Sequence, residues 1–155
     1  MIDSINVCVP PNIRNIALVS LMLVCCTQTA WAVPEIVLQT IALESASEPL
    51  EGQAMVARVI INRSRASNTS LEAVCLAPKQ FSAWNDKKRA KRWLLRHFDS
   101  QTRSRAITAY QMAIIANEAY SGIRHYHAKG CSPYWAKGKK PALTVGSHMF
   151  YEGIR

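Results

Sequence analysis

Three glutamates stand close together in the stretch "ALESASEPLEGQAMVARVIINR", which runs from Ala42 to Arg63. They are Glu44, Glu48 and Glu51, and each could serve either structure or chemistry. Glu48 and Glu51 fall at the start of a predicted helix, where negative side chains are stabilised by the helix dipole and by the free N–H groups. We therefore interpret these two glutamates as structural residues.

Glu44 is the candidate for chemistry. It falls in the last turn of its own predicted helix, where the dipole disfavours a negative charge, and it follows the apolar segment "TIAL". Partial burial and the helix end should both raise its pKa. A carboxyl group with a raised pKa suits general acid catalysis, and the residue pattern alone leaves Glu44 open between a catalytic and a structural role.

Two helices must position these carboxylates. Apolar residues at helical spacing predict a first helix from Pro34 to about Ala46, and Pro49 then begins a second helix that runs to about Ala66. Because a residue before proline avoids the helical conformation, the first helix ends there, and the first two glutamates do not share one face. The second helix is apolar around most of its circumference, so we expect it to be the most buried element.

The rest of the domain is predicted to be mainly helical, with strands only near the C-terminus. Thr69 or Ser70 should cap a short third helix, the segment "PKQFSAWND" is a predicted loop, and Lys87–Arg96 forms a basic helix. A long helix should follow from Ser100 and stop at Gly122. Its predicted inward residues are Ile107, Tyr110, Ala113 and Ile114.

The C-terminal segments "IRHYHA" and "LTVGSHMFYEG" alternate β-branched and aromatic residues with polar ones. This pattern predicts a two-stranded antiparallel pair joined by a long loop. The expected fold class is mainly α (α+β), with a helical domain and a small C-terminal β-hairpin.

The first 32 residues are typical of a secretory signal peptide. Arg14 precedes the apolar run Ile16–Cys26, and the small-residue pattern Ala30-Trp31-Ala32 follows. We expect cleavage after Ala32 and export to the periplasm, cell envelope or medium, with no stable membrane span afterwards. An uncleaved N-terminal anchor is the alternative. Residues 33–155 would then form one compact domain.

The charge of the chain favours a polyanionic partner. Its 19 lysines and arginines against 10 acidic residues give a net charge of +9, which suits a cell wall, a membrane surface or a nucleic acid. The basic segments Lys87–Arg92 and Arg103–Arg105 raise the possibility of a non-catalytic binding module. Only Trp93 is interleaved with this charge, and the export signal argues against nucleic acid.

The histidines and cysteines leave two further questions. His125 and His127 alternate along a predicted strand and could reach one metal ion. Because no carboxylate or cysteine follows in register, we expect these two, with His148, to form polar lining of a cleft and predict no metal or cofactor. After signal cleavage only Cys75 and Cys131 remain, and they could either pair or stay separate thiols.

Four ordered blocks of the sequence resemble the SleB-type cell wall hydrolases, which are spore-cortex-lytic and related bacterial enzymes. The blocks are "IALESASEPLEGQAMVARVIINR", "AVCLAPKQFSAW", "HYHAKGCSPYWA" and "GSHMFYE". The chain departs from the family pattern at Ala46-Ser47, where the family has Arg-Gly.

The resemblance implies a lysozyme-like domain that acts as a peptidoglycan lytic transglycosylase. Such an enzyme cuts between N-acetylmuramic acid and N-acetylglucosamine and leaves 1,6-anhydromuramic ends, and the family's catalytic glutamate corresponds to Glu44. We expect a monomer that binds glycan strands. A hydrolytic muramidase, an N-acetylmuramoyl-L-alanine amidase and a non-catalytic peptidoglycan-binding module are the alternatives. The candidate substrate-binding residues are Gln80, Phe81, Ser82, Trp84, His125, Tyr126, His127, Trp135, His148 and Tyr151.

Overall fold

A computed structural model of the chain describes residues 33–116 and 119–154. The predicted signal peptide, residues 1–32, lies outside the described residues. Within them the α-helices are α1 (Glu35–Ser45), α2 (Leu50–Ser67), α3 (Leu71–Leu76), α4 (Lys87–His97) and α5 (Ser100–Ile115). The strands are β1 (Ile123–Ala128), β2 (Leu143–Val145) and β3 (His148–Glu152), and short 3₁₀ turns span Ser82–Asn85 and Tyr134–Ala136.

Three of the helices begin at side-chain caps that the sequence supplies. Ser70 caps α3, Asp86 caps α4 and Asp99 caps α5, and each side-chain oxygen accepts the backbone N–H three residues later, at 3.1, 2.9 and 2.8 Å. These contacts satisfy N–H groups that have no partner inside the helix. Ser70 rather than Thr69 is therefore the cap of the third helix.

Helix α2 is the centre of the domain, as its sequence predicts. All eleven residues from Gly52 to Asn62 are buried. Helices α1 and α5 pack on it, and α1 contributes Val37, Leu38 and Ile41 to the shared core. Full burial of one such aliphatic side chain contributes about 1.5–3 kcal/mol, so this three-helix contact stabilises the domain and supports the residues at the end of α1.

Helix α5 differs from its prediction in length and in its inward face. It ends at Ile115 instead of continuing to Gly122. Small residues form its most buried face, since short side chains let helix backbones come near each other. The fully buried residues are Ala106, Ala109 and Ala113, whereas the predicted Ile107, Tyr110 and Ile114 are only partly buried.

The sheet has three antiparallel strands in the order β1–β3–β2, so the predicted two-stranded pair is wrong in number. The second predicted strand folds back on itself at Gly146, whose φ is 55°. Glycine adopts this left-handed conformation without strain. A Cβ atom there would collide with the Glu48 carboxylate and would lie 2.8 Å from Pro49 Cδ, so the tight turn requires glycine.

Candidate active site

A cleft with a volume of about 650 Å³ opens between the end of α1, the 3₁₀ turn Ser82–Asn85 and strand β1. Among the described residues that line it, Glu44 alone carries a carboxylate. Cations and aromatic rings make up much of the remaining wall. The lining residues are Leu43, Glu44, Arg63, Lys79, Gln80, Ser82, Asn85, His125, Tyr126, His127, Ala128, Cys131, Tyr134, Trp135 and His148.

Three donors converge on the Glu44 carboxylate and fix its orientation. Its Oε1 accepts the backbone N–H of Ala83 at 2.7 Å and the Ser82 hydroxyl at 3.3 Å. Its Oε2 accepts the Tyr126 hydroxyl at 2.8 Å. The two oxygens are therefore held from opposite walls of the cleft, one by the 3₁₀ turn and the other by β1.

Tyr126 is well suited to remain a donor in this pair. Burial, the negative charge of Glu44 and the hydrogen bond to it together raise the pKa of Tyr126 well above its ordinary value. Its hydroxyl therefore keeps its proton throughout the physiological pH range.

The 3₁₀ turn is attached to α1 one helical turn before Glu44. The indole Nε1–H of Trp84 donates to the Thr40 hydroxyl at 2.9 Å, and that hydroxyl donates to the Ile36 carbonyl at 2.7 Å. Thr40 is fully buried. Residues four apart on a helix lie on one face, so Thr40 and Glu44 together hold the segment that carries the Ala83 N–H.

Arg63 joins α2 to the cleft floor. Its Nε donates to the Arg124 carbonyl at 2.8 Å and its Nη1 to the Gln80 carbonyl at 3.2 Å. Its guanidinium also lies 5.1 Å from the centre of the Phe81 ring, within cation–π range. Burial lowers the pKa of Arg63, while the nearby Tyr126 and Glu44 oppose that change.

His127 forms one aromatic cluster with Trp135 and Tyr151 on the face of the sheet. Its Nδ1–H donates to the Ala128 carbonyl at 2.9 Å, since a carbonyl can only accept. In the neutral ring Nε2 is then an acceptor, and it takes the Tyr151 hydroxyl at 3.0 Å. The rings of His127 and Tyr151 are stacked 5.3 Å apart, and Trp135 meets both edge-on.

The imidazole of His148 meets the Tyr126 ring edge-on, with ring centres 5.1 Å apart. Burial lowers the pKa of His148, although the charges of Glu48 and Glu44 act in the opposite direction. Its buried Nδ1 has no hydrogen-bond partner among the described residues.

Glu48 is a structural residue, although not through the contact that its sequence position suggests. It is 7% exposed, and its side chain does not cap α2. Instead, its carboxylate accepts the backbone N–H of Ser147 at 2.9 Å and also the Ser147 hydroxyl. Although burial alone would raise it, these hydrogen bonds bring the pKa of Glu48 below its ordinary value. The carboxylate fixes the β2–β3 turn and does not line the cleft.

The structure brings most of the predicted substrate-binding residues into one cleft, but three of them lie elsewhere. Phe81 is 2% exposed, Trp84 is anchored to α1, and Tyr151 is buried behind His127. These three aromatic residues support the wall without lining it. Those that line the cleft are Gln80, Ser82, His125, Tyr126, His127, Trp135 and His148.

Some cleft residues were missed at the level of sequence. Arg63 stands in the recognisable "INR" end of the second helix, and Tyr134 is part of "SPYWA", so motif position could have indicated both. Tyr134 is 90% exposed, which makes its ring available to a sugar face. Lys79 and Asn85 have no such signal, because loop geometry alone turns them into the cleft.

The two cysteines among the described residues, Cys75 and Cys131, are not joined to each other by a disulfide bond. Cys75 is buried and Cys131 is exposed, and both are free. Burial raises the pKa of Cys75 to about 11. In the part of the chain that the structure describes, no group of three histidine, cysteine or acidic side chains could hold a metal ion. Likewise, none of the described helices is long and apolar enough to cross a membrane.

The sequence profile of the cell wall hydrolase family matches residues 47–151. The match therefore covers the cleft wall from α2 to β3 and begins three residues after Glu44. No curated protein sequence matches the chain.

Two solved structures have a similar fold. The catalytic domain of Bacillus cereus SleB is 25% identical, with a TM-score of 0.57, and the alignment covers 80% of this chain and 95% of that chain. The catalytic domain of the germination-specific lytic transglycosylase SleB from Bacillus anthracis is 21% identical, with a TM-score of 0.57 and coverage of 77% and 96%. At 21% identity, the second comparison shows similarity of the fold alone.

Proposed function

Since the chain belongs to the cell wall hydrolase family and is an enzyme that acts on peptidoglycan, we propose that it is a lytic transglycosylase with Glu44 as its only catalytic carboxylate. The bond that it cleaves joins N-acetylmuramic acid to N-acetylglucosamine in the glycan strand.

The observation that carries this proposal is the lone carboxylate in the cleft. Most glycosidases place two carboxyl groups on either side of the scissile bond, one to protonate the leaving oxygen and one to supply or activate a nucleophile. Among the described lining residues only Glu44 has a carboxylate. Glu48, the next candidate along the chain, is hydrogen-bonded to Ser147. A mechanism that needs one carboxylate suits this arrangement.

In such a mechanism the substrate supplies the nucleophile. The Glu44 carboxyl group gives its proton to the glycosidic oxygen, and the bond from that oxygen to the muramic C1 breaks. The muramic 6-hydroxyl then bonds to C1, and its proton returns to the Glu44 carboxylate. The products are a 1,6-anhydromuramic end and an N-acetylglucosamine with a free 4-hydroxyl, and Glu44 is restored to its starting state.

The hydrogen bonds around Glu44 support this double role. Ala83 and Tyr126 bind different oxygens of the carboxylate, so the group is oriented before substrate arrives. Pre-organised groups avoid the cost of reorientation during the reaction. Because Tyr126 keeps its proton, it can stabilise the negative charge that Glu44 acquires when it donates.

The remaining wall offers surfaces for sugars. Tyr134 and Trp135 present aromatic rings, which favour the apolar faces of pyranose rings. Lys79 and Arg63 add positive charge to the same wall, which favours an anionic ligand. The net charge of +9 would draw the protein to an anionic wall. Export through the signal peptide predicted in residues 1–32 would bring it to that substrate.

The proposal is tested by digesting purified peptidoglycan with the wild type, Glu44→Gln and Glu51→Gln. Glu44→Gln should fold and bind glycan but lose cleavage by at least the ~10²–10⁴-fold that general acid catalysis contributes. Glu51 is exposed on the first turn of α2, so Glu51→Gln is the matched control and should cleave as the wild type does.

Other outcomes would point to other functions. Full activity in Glu44→Gln would overturn the proposal. Release of peptide stems from intact glycan would indicate an amidase. Binding without cleavage by the wild type would indicate a peptidoglycan-binding module.

A further inference from the structure

A second cavity with a volume of about 670 Å³ lies beside the catalytic cleft. We call it the side cavity. Three residues, Arg63, Gln80 and His125, line both spaces. The side cavity therefore adjoins the cleft that contains Glu44, and a branched ligand in the cleft could extend into it.

The wall of the side cavity combines positive charge with apolar surface. Arg63 and Arg124 contribute guanidinium groups, and none of the described lining residues is acidic. The wall also has apolar residues, among them Val74, Ala77 and Ile154. A matching ligand carries carboxylates next to small aliphatic groups.

His125 stands where the side cavity meets the cleft, and its Nδ1 is enclosed by protein with no hydrogen-bond partner among the described residues. Burial lowers the pKa of His125, and the positive charges of Arg63, Arg124 and Lys139 lower it further. The imidazole is therefore neutral at neutral pH, and the surrounding field is positive.

We propose that the side cavity binds the anionic peptide stem of the muramic acid residue whose bond is cleaved. This inference rests on the proposed function, because it requires the glycan strand in the adjoining cleft. The stem leaves the same sugar ring that carries the scissile C1 atom, so it must emerge close to Glu44. Its free carboxylates suit the two guanidinium groups, and its alanine methyl groups suit the apolar wall.

Arg63 and Arg124 have different contacts and therefore different roles. The Nε and Nη1 atoms of Arg63 are held by carbonyl groups of Arg124 and Gln80, so its side chain is fixed in the shared wall. Arg124 contributes its carbonyl to that arrangement, while its partly exposed side chain lines only the side cavity. Arg124 is therefore the residue at which stem binding can be changed without altering the catalytic cleft.

The test compares two substrates of equal glycan length, one with peptide stems and one from which the stems have been removed. For the stem-bearing substrate, Arg124→Gln should lower kcat/KM about tenfold, as expected for one lost charge-assisted hydrogen bond. On the stem-free substrate it should equal the wild type. Arg124→Lys keeps the charge and should recover part of the loss. Arg103→Gln is the matched control, since Arg103 pairs with Glu35 on the surface and lines neither cavity.

Equal loss on both substrates, or no loss on either, would overturn the inference. Binding of the isolated stem peptide to Glu44→Gln, measured by calorimetry, separates it from the proposed function. Stem binding that Arg124→Gln weakens about tenfold supports the side cavity even if the wild type fails to cleave glycan. Absence of stem binding overturns it even if Glu44 proves to be the catalytic acid.

Discussion

Replacing Glu48 with glutamine should destabilise the domain without removing its catalytic group. The Glu48 carboxylate accepts two hydrogen bonds from Ser147, one from the backbone N–H at 2.9 Å and one from the hydroxyl. A hydrogen bond to a charged group contributes about 1.5–3 kcal/mol. Glutamine keeps one acceptor oxygen but turns an NH₂ group toward a donor. We therefore expect the free energy of unfolding to fall by about 2–3 kcal/mol at pH 7.

The assay is urea unfolding of wild type and Glu48→Gln at several pH values. With m-values of about 1–3 kcal/mol/M, the expected loss lowers the midpoint by about 1 M or more. The pKa of Glu48 is lowered in the folded state from its ordinary 4.5. Its stabilising contribution is therefore complete above pH 4.5 and is lost as the pH falls through the lower folded pKa. The difference between the two proteins should shrink over that range.

Glu51→Gln is the matched control. Glu51 is exposed in the first turn of α2, so this substitution should lower the free energy of unfolding by less than about 1 kcal/mol. A loss below about 0.5 kcal/mol in Glu48→Gln, or one that does not change with pH, would refute the role assigned to Ser147. A folded Glu48→Gln that fails to cleave glycan would make Glu48 a second catalytic carboxylate and would favour a hydrolytic muramidase.

Three further predictions concern the support of the site and the processing of the chain. Thr40→Val keeps the side-chain volume but leaves the Trp84 Nε1–H unpaired, so the free energy of unfolding should fall by about 1–3 kcal/mol. Glycan cleavage should also slow, because the Ala83 N–H loses its position. Gly146→Ala should lower the stability measured by thermal unfolding by about 1–3 kcal/mol or more, since φ is 55° and the added methyl group meets Glu48. Gly130→Ala is the control and should change stability little, because no atom lies within 4 Å of the added methyl group. N-terminal sequencing of protein from the cell envelope should begin at Val33, and a sequence that begins at Met1 would contradict signal cleavage.

The helices were largely predictable because their signals are local. Pro49 ends the helical path of the first segment, and the continuous apolar character of α2 marks it as the central helix. The end of α5 was not predictable in this way, since its sequence stays compatible with a helix beyond Ile115. The third strand was missed because the alternation of "LTVGSHMFYEG" continues through Gly146, and only the backbone conformation there shows the turn.

The site was predictable where it depends on side-chain type and not where it depends on distant contacts. Glu44 stood out by its place at a helix end and by the family resemblance. Its main donor, however, is the backbone N–H of Ala83, 39 residues away, and a backbone group leaves no mark in the sequence. The Glu48–Ser147 contact spans 99 residues. An aromatic residue can either bind a sugar or pack in the core, and its sequence position does not distinguish the two. Phe81 and Tyr151 are buried in the structure.

Digestion of purified peptidoglycan in oxygen-labelled water, followed by mass analysis of the released sugars, tests the proposed mechanism most directly. If Glu44 serves as both acid and base and the muramic 6-hydroxyl is the nucleophile, each new muramic end should be lighter than a reducing end by one water molecule and should contain no labelled oxygen. Glu44→Gln should release no such ends. Reducing muramic ends that carry the label would contradict the account, because they would show that water attacks C1.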